Sequence, residues 1–238
     1  MGSIPIRLVT ELQAALDLSR AIETGTFEGD GTRELSDVFP SVVTIELSEA
    51  NHARAKRRLR PYSNVKLILG DSGQELAGLL QPLVPTLYFL DGHWSEGPAG
   101  ADSQCPLLDE LASLRGGHSL DCVIIDDAQF FLAAPPPPYN PLQWPRLVEV
   151  FDSLRAQYPS HHVTLLDDQI IAVPAIAAAI VDSAGQRAAW HGAQLHLGHL
   201  RRRLIGDVLG PLSPTRRRLR QLRRFARDGV RRWRPARQ

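Results

Sequence analysis

Residues 21–32 read AIETGTFEGDGT, and the fold follows from how this stretch is read. A short apolar run, Ala21-Ile22, passes into Gly25, Gly29 and Gly31 and then into a helical pattern. A strand, a glycine turn and a helix are what a nucleotide-type ligand requires. Glycine lets the backbone approach the ligand closely, and the first turn of a helix offers N–H groups that have no partner inside it. The glycine spacing is not G-x-G-x-x-G, so the dinucleotide fingerprint is excluded.

The same rhythm extends in both directions. Residues 7–18 place Leu8, Leu12, Ala15 and Leu16 at helical spacing, which predicts a leading amphipathic helix. Strands are expected at Val42–Leu47, Val65–Leu69, Thr86–Leu90 and Cys122–Ile125. Between them helices are expected from Ser48 to Leu59, from about Ser72 to Leu80, and from near Pro106, a residue suited to a first turn. AAPPPPYNP (133–141) is a loop, and a helical pattern resumes from Pro145 to Tyr158. His162–Leu166 and Ile170–Val173 flank Asp167-Asp168-Gln169, which predicts strand, tight turn, strand. The expected fold class is α/β: a doubly wound, mostly parallel, seven-stranded sheet with an antiparallel edge.

Composition sets the limits. The 238 residues are 43% hydrophobic and 22% charged, enough for a sizeable core and inconsistent with collagen-like, disulfide-scaffold or wholly disordered chains. The longest apolar stretch, Ile170 to Val181, carries Pro174 and is too short to cross a membrane as a helix. Two cysteines, Cys105 and Cys122, fit a reduced, cytoplasmic setting, and the N-terminus does not read as a secretory signal. The net charge of +1 conceals an imbalance. His199 to Gln238 contain 14 Arg against Asp207 and Asp228, while the preceding residues are strongly acidic. The expected division is therefore a domain over 1–198 and an arginine-rich, helical tail over 199–238.

Two further features fall in order after the glycine turn. Glu46 closes the second strand, where an acid can accept hydrogen bonds from both hydroxyls of a ribose. Gly70-Asp71-Ser72 closes the third, where an adenine edge can be read, although Ser72 equally suits a helix cap. With E-x-G-x-x-x-G (Glu23, Gly25, Gly29) followed by Glu46 and Asp71, residues 15–175 resemble the class I S-adenosylmethionine-dependent methyltransferases, which have a Rossmann-like fold. The resemblance implies S-adenosylmethionine as cofactor. It places Glu23, Gly25, Thr26, Phe27 and Gly29 at the loop, Glu46 at the ribose and Asp71 or Ser72 at the base.

The fourth strand ends in LDGHW (90–94) and the fifth in IDDA (125–128). In an open parallel sheet, these carboxyl ends border the crevice where ligands bind. Strands four and five are expected as neighbours about 5 Å apart, which brings Asp91 close to Asp126 and Asp127. Such carboxylates repel one another unless protons or a cation intervene, and oxygen ligands favour Mg²⁺ or another hard divalent ion. The pattern is similar to metal-dependent small-molecule O-methyltransferases, which implies Asp91, Asp126 and Asp127 as metal ligands. Trp94 stands where the catechol enzymes carry a lysine, so His93, or Asp91 itself, is the candidate base. Trp94 and Phe130 are candidates for lining an acceptor pocket.

The leading reading is methyl transfer from S-adenosylmethionine to an oxygen of a small molecule, such as a sugar or secondary metabolite. Two others compete with it. One is RNA methylation with the arginine-rich tail as electrostatic handle, against which the N/D-P-P-Y/F motif is missing after strand four. The other is a non-catalytic S-adenosylmethionine- or nucleotide-binding domain tethered by the tail to an anionic partner, nucleic acid or a membrane surface. The oligomeric state is not encoded in any of these features.

Overall fold

The computed structural model describes residues 4–93, 104–137 and 139–190. Trp94 and the arginine-rich tail therefore lie outside the described residues, as does the boundary expected at 198/199. The described residues up to Gly185 form one compact unit. No helix among the described residues is long and apolar enough to cross a membrane.

Seven strands form a single sheet in the order β3-β2-β1-β4-β5-β7-β6. β1 (Arg20–Thr24), β2 (Ser41–Glu46), β3 (Val65–Leu69), β4 (Thr86–Leu90) and β5 (Cys122–Ile125) run parallel. β7 (Gln169–Pro174) enters antiparallel beside β5 and pairs with β6 (His161–Leu166). The expected α/β class, seven strands and antiparallel edge are all present. The two-residue turn of this last hairpin is Asp167-Asp168, with Asp167 in the left-handed region (φ 52°).

The central strands are buried on both faces because helices cover both. Along β4, Leu87 and Phe89 face α1 (Ile6–Leu16) and its neighbours, whereas Tyr88 and Leu90 face the layer of α5 (Leu107–Ser113) and α7 (Leu147–Gln157). Alternate side chains thus feed two hydrophobic layers. Between these helices in sequence lie α2 (Asp30–Val38), α3 (Glu49–Arg58), the one-turn α4 (Ser72–Glu75) and α6 (Gln129–Leu132). Ser48 caps α3, accepting from the Asn51 amide at 3.4 Å. The helix expected from Ser72 to Leu80 is one α turn followed by a 3₁₀ turn, Leu76–Leu79. Its cap is Asp71, not Ser72: Asp71 Oδ1 accepts from the Gly73 amide at 2.9 Å, and Ser72 is the first helical residue.

The amino-terminal edge of the sheet is held by Asp121, only 1% exposed. Its carboxylate accepts from the Thr86 and His118 amides at 2.9 and 2.8 Å and from the Tyr158 hydroxyl at 3.3 Å. It thereby ties the starts of β4 and β5 to the end of α7. Asp121→Ala leaves two amides without partners, and the expected cost is on the order of 3 kcal/mol, read as a lower urea midpoint at unchanged slope. A midpoint equal to that of the native chain would show that these contacts contribute nothing net.

Candidate functional site

At the opposite, carboxyl edge, five parallel strands end side by side. The register aligns Thr24 with Ile45 and Leu90, and Glu46 with Leu69. The residues that follow are bonded onward in the same order: Gly25 N–H to Ile45 O, Gly70 N–H to Glu46 O, Asp91 N–H to Thr24 O and Asp126 N–H to Leu90 O, all between 3.0 and 3.2 Å. Gly25, Glu46, Asp71, Asp91 and Asp126 therefore leave the sheet along one rim.

Gly25 fixes how the rim closes. Its φ is +82°, and a Cβ there would stand 2.1 Å from the carbonyl oxygen of Asp91. No side chain fits, so the turn after β1 lies directly against the end of β4. Phe27 is also left-handed (φ 49°), a conformation uncommon for a bulky residue, and it turns the Phe27 amide onto Glu46 Oε2 at 2.7 Å. Glu46 Oε1 accepts from the Ser48 amide at 2.8 Å. Each carboxylate oxygen keeps a further lone pair for a ligand donor.

Other residues of the glycine stretch face inward. Thr26 Oγ1 shares a 2.6 Å hydrogen bond with Thr44 Oγ1, and its main chain is tied to Ile45 O and to the Gly29 amide. Glu23 is buried beneath the turn, accepting from the hydroxyls of Thr32 and Thr44. It braces α2 against β2 from below. Gly29, at φ +82°, supplies the N-cap position of α2. Asp71 is engaged by its own helix, through Gly73 and through Gln74 Nε2 at 3.3 Å.

Beyond Gly25 lies a cluster of charge. His93 Nε2 stands 2.9 Å from Asp127 Oδ2 and 3.6 Å from Asp91 Oδ1. The three ligand atoms lie within 4.8 Å of one another, the spacing of a divalent-cation site. Asp127 reaches this position from the left-handed region (φ 52°), strain of the kind found where a side chain must be aimed. Asp126, next to it, points differently. Its Oδ1 accepts from Gln169 Nε2 at 3.1 Å, and its Oδ2 has no partner among the described residues. The expected trio of aspartates is thus two aspartates and a histidine, with the third carboxylate beside them.

Burial dominates the protonation of this edge. It pushes Asp91 up to about 7, opposed by His93 and reinforced by Asp126 and Asp127. It raises Asp126 as well. For His93, burial favours the neutral ring, but the hydrogen bond to Asp127 and the charges of Asp91 and Asp127 outweigh it and hold the imidazole above its ordinary value. Asp127 is correspondingly lowered, first by that hydrogen bond. An ionised carboxylate only accepts, so Nε2 donates to Asp127 and Nδ1 is left as the basic nitrogen.

Aromatic rings enclose the imidazole. Trp144, Phe130 and Phe131 stand 5.6, 6.2 and 6.5 Å from it, centroid to centroid, each close to edge-on. Phe130 was expected here; Trp144 and Phe131 were not. Gln104 Oε1 accepts from the Asn140 amide at 2.7 Å and from Trp144 Nε1 at 3.4 Å, joining the segment after β4 to the loop after β5. The length of that proline-rich loop, on the carboxyl edge of the sheet, was the signal available for it.

The seven-stranded sheet, with its antiparallel hairpin at β7-β6, matches solved O-methyltransferases. The O-methyltransferase TomG from Streptomyces achromogenes, in complex with S-adenosylmethionine, aligns at a TM-score of 0.51 with 19% identity, covering 73% of this chain and 82% of that one. The O-methyltransferase from Bacillus cereus, in complex with S-adenosylhomocysteine, aligns at 0.51 with 17% identity, covering the same shares. The fold is that of the class I methyltransferases. No family model matches the chain, and no curated protein matches it in sequence.

The brace beneath the turn carries a prediction. Glu23 is raised from 4.5 to about 7, chiefly by burial against the donation from Thr32 and Thr44. Between those values the folded chain holds a proton that the unfolded chain has lost, so stability present below about pH 4.5 is lost as pH rises toward 7. Glu23→Gln removes that loss and should flatten the decline by on the order of 2 kcal/mol, read from melting curves between about pH 5 and pH 8. An identical decline in both proteins would contradict the assignment.

Proposed function

We propose that the chain is a methyltransferase moving a methyl group from S-adenosylmethionine to a hydroxyl oxygen of a small molecule, with a divalent cation assisting. The observation that carries this is the packing of the Gly25 turn on the Asp91 carbonyl. It sets a nucleoside-type cleft, bordered by Gly25, Glu46 and Asp71, directly beside the Asp91–His93–Asp127 cluster. Both halves of a two-substrate reaction then share one rim.

The residues present fit such a cofactor. Glu46 is held by two amides in a fixed orientation, with acceptor capacity remaining for ribose hydroxyls. The turn at residues 25–27 is held by its own hydrogen bonds to β2, Gly25 N–H to Ile45 O and Phe27 N–H to Glu46 Oε2, so it would meet a cofactor as a fixed backbone surface with no side chain at Gly25. The methyl sulfonium is reactive in itself, so catalysis lies in alignment: the chain must hold acceptor oxygen, methyl and sulfur in line and exclude water.

The cluster fits a hard cation as well, since the carboxylates of Asp91 and Asp127 converge and a buried Asp126 oxygen beside them has no partner among the described residues. Asp91 and Asp127 would hold it, and a bound cation lowers the pKa of a coordinated hydroxyl. The acceptor proton passes to His93 Nδ1, the ring being ordered by Asp127 through Nε2. Phe130 and Trp144 at the ring edge give the acceptor an apolar wall. The same rim would host the other anticipated readings, RNA methylation or a tethered binding domain, but their distinguishing feature is the tail, which lies outside the described residues.

Isothermal titration tests the cofactor half: the native chain should bind S-adenosylmethionine, and Glu46→Ala should weaken binding about tenfold or more. Equal affinity in the variant would contradict the ribose assignment. For the second half, Mn²⁺ should bind the native chain as followed by electron paramagnetic resonance, and Asp91→Asn should abolish it. With a panel of hydroxylated acceptors and radiolabelled methyl donor, turnover should cease on chelation and fall about a hundredfold in His93→Ala. Turnover that survives thorough chelation removes the cation from the account.

A further inference from the structure

The same rim carries a second buried carboxylate that the reaction above does not use. Glu110, on α5, is 1% exposed. The hydroxyls of Ser72 and Thr24 hydrogen-bond its carboxyl, while Oε1 has no partner among the described residues. Thr24 Oγ1 also accepts from the Asp91 amide at 3.2 Å, so a single hydroxyl links Glu110 to the backbone where the cluster begins.

Gly92 locates Oε1 relative to the cleft. A Cβ on Gly92 would stand 2.6 Å from Glu110 Oε1, 3.0 Å from Ser72 Oγ and 3.1 Å from Thr24 Oγ1. The Gly92 Cα in turn lies 3.3 Å from where a Cβ on Gly25 would be. The unpartnered oxygen therefore abuts the backbone that meets the glycine turn, among the ends of β1 and β4 and the start of α4. These are the elements that border the proposed cofactor cleft.

An unpaired carboxylate in such a place is costly to ionise, and burial raises Glu110 accordingly; His93 opposes this and Asp71 adds to it. A fixed positive charge in the cleft would relieve that cost, the more so where water is excluded. S-adenosylmethionine brings such a charge on its sulfur; S-adenosylhomocysteine keeps the α-ammonium that both share but has a neutral sulfur. In the transfer the acceptor oxygen gains the O–CH₃ bond, the S–CH₃ electron pair returns to sulfur, the acceptor proton goes to His93, and the sulfur is left neutral.

We propose that Glu110 is a charge-selecting residue of the cofactor site, its carboxylate favouring the sulfonium of S-adenosylmethionine over the neutral sulfur of the product. The inference rests on the cofactor reading above. Its consequence is that the spent cofactor is held less tightly than the fresh one.

Titration calorimetry on the full chain with three probes tests it: S-adenosylmethionine, S-adenosylhomocysteine, and sinefungin, which carries an ammonium group in place of the methylsulfonium. Glu110→Gln, of the same size and uncharged, should weaken the two cationic probes about tenfold and the neutral one less than about twofold. Glu110→Asp, which keeps the charge and shortens its reach, should retain part of the preference. If Glu110→Gln does not fold, Glu110→Asp decides alone, with a loss for the cationic probes at least about threefold greater than for the neutral one. Equal losses for all three probes would place Glu110 at the adenosine or α-ammonium that they share, or in a purely structural role, and no loss would remove it from the site. Either overturns the inference while leaving the cofactor reading intact; a native chain that binds none of the three overturns both.

Discussion

Two main-chain segments meet at the Gly25 turn more closely than any side chain permits. With φ at +82° and the Asp91 carbonyl 2.1 Å from the missing Cβ, the position accepts only glycine on both conformational and steric grounds. The rest of the rim depends on this contact. It sets the end of β1 against the end of β4, turns the Phe27 amide toward Glu46, and leaves Asp91 and His93 to emerge beside the turn. The supports lie underneath: Glu23 binds Thr32 and Thr44, Thr26 binds Thr44, and the turn is anchored to α2 and β2 at once.

Electrostatics gives the rim its second character. Glu23, Asp91, Glu110 and Asp126 are all raised, in each case first by burial, and all belong to the carboxyl edge of the sheet or the layer packed on it. In the absence of cations, protons must balance much of this charge. A sulfonium and a divalent ion are two forms of positive charge that the proposed reaction would bring to the same place. His93 is the basic group among them, and its bond to Asp127 lowers that carboxylate while burial raises its neighbours Asp91 and Asp126. Perturbed groups of opposite tendency, packed within one cleft, are a mark of functional sites in general.

Much of the fold was legible because the strands are short apolar runs separated by helical patterns, and the period changes cleanly at each boundary. Residues 86–90 and 122–125 lie buried on both faces, which is how TLYFL and CVII read from composition alone. The hairpin at Asp167-Asp168 was legible from its turn residues. What escaped the sequence was the direction of side chains. Asp126 and Asp127 are adjacent, yet the left-handed backbone at Asp127 sends one to His93 and leaves the other to Gln169. Glu23 stands beside the glycine turn in sequence, but strand alternation sends its side chain beneath that turn, onto Thr32 and Thr44. Trp144 and Glu110 come from segments distant in sequence, and only the packing of α5 and the proline-rich loop brings them to the rim.

The most direct measurement is a crystal structure of the chain grown with S-adenosylhomocysteine. The account predicts the nucleoside across the ends of β1, β2 and β3, with ribose hydroxyls on Glu46, the sulfur between the Gly25 turn and Asp91, and open space from the sulfur toward His93. Nucleoside density on another face of the sheet, or a sulfur walled off from His93 by packed side chains, would contradict it.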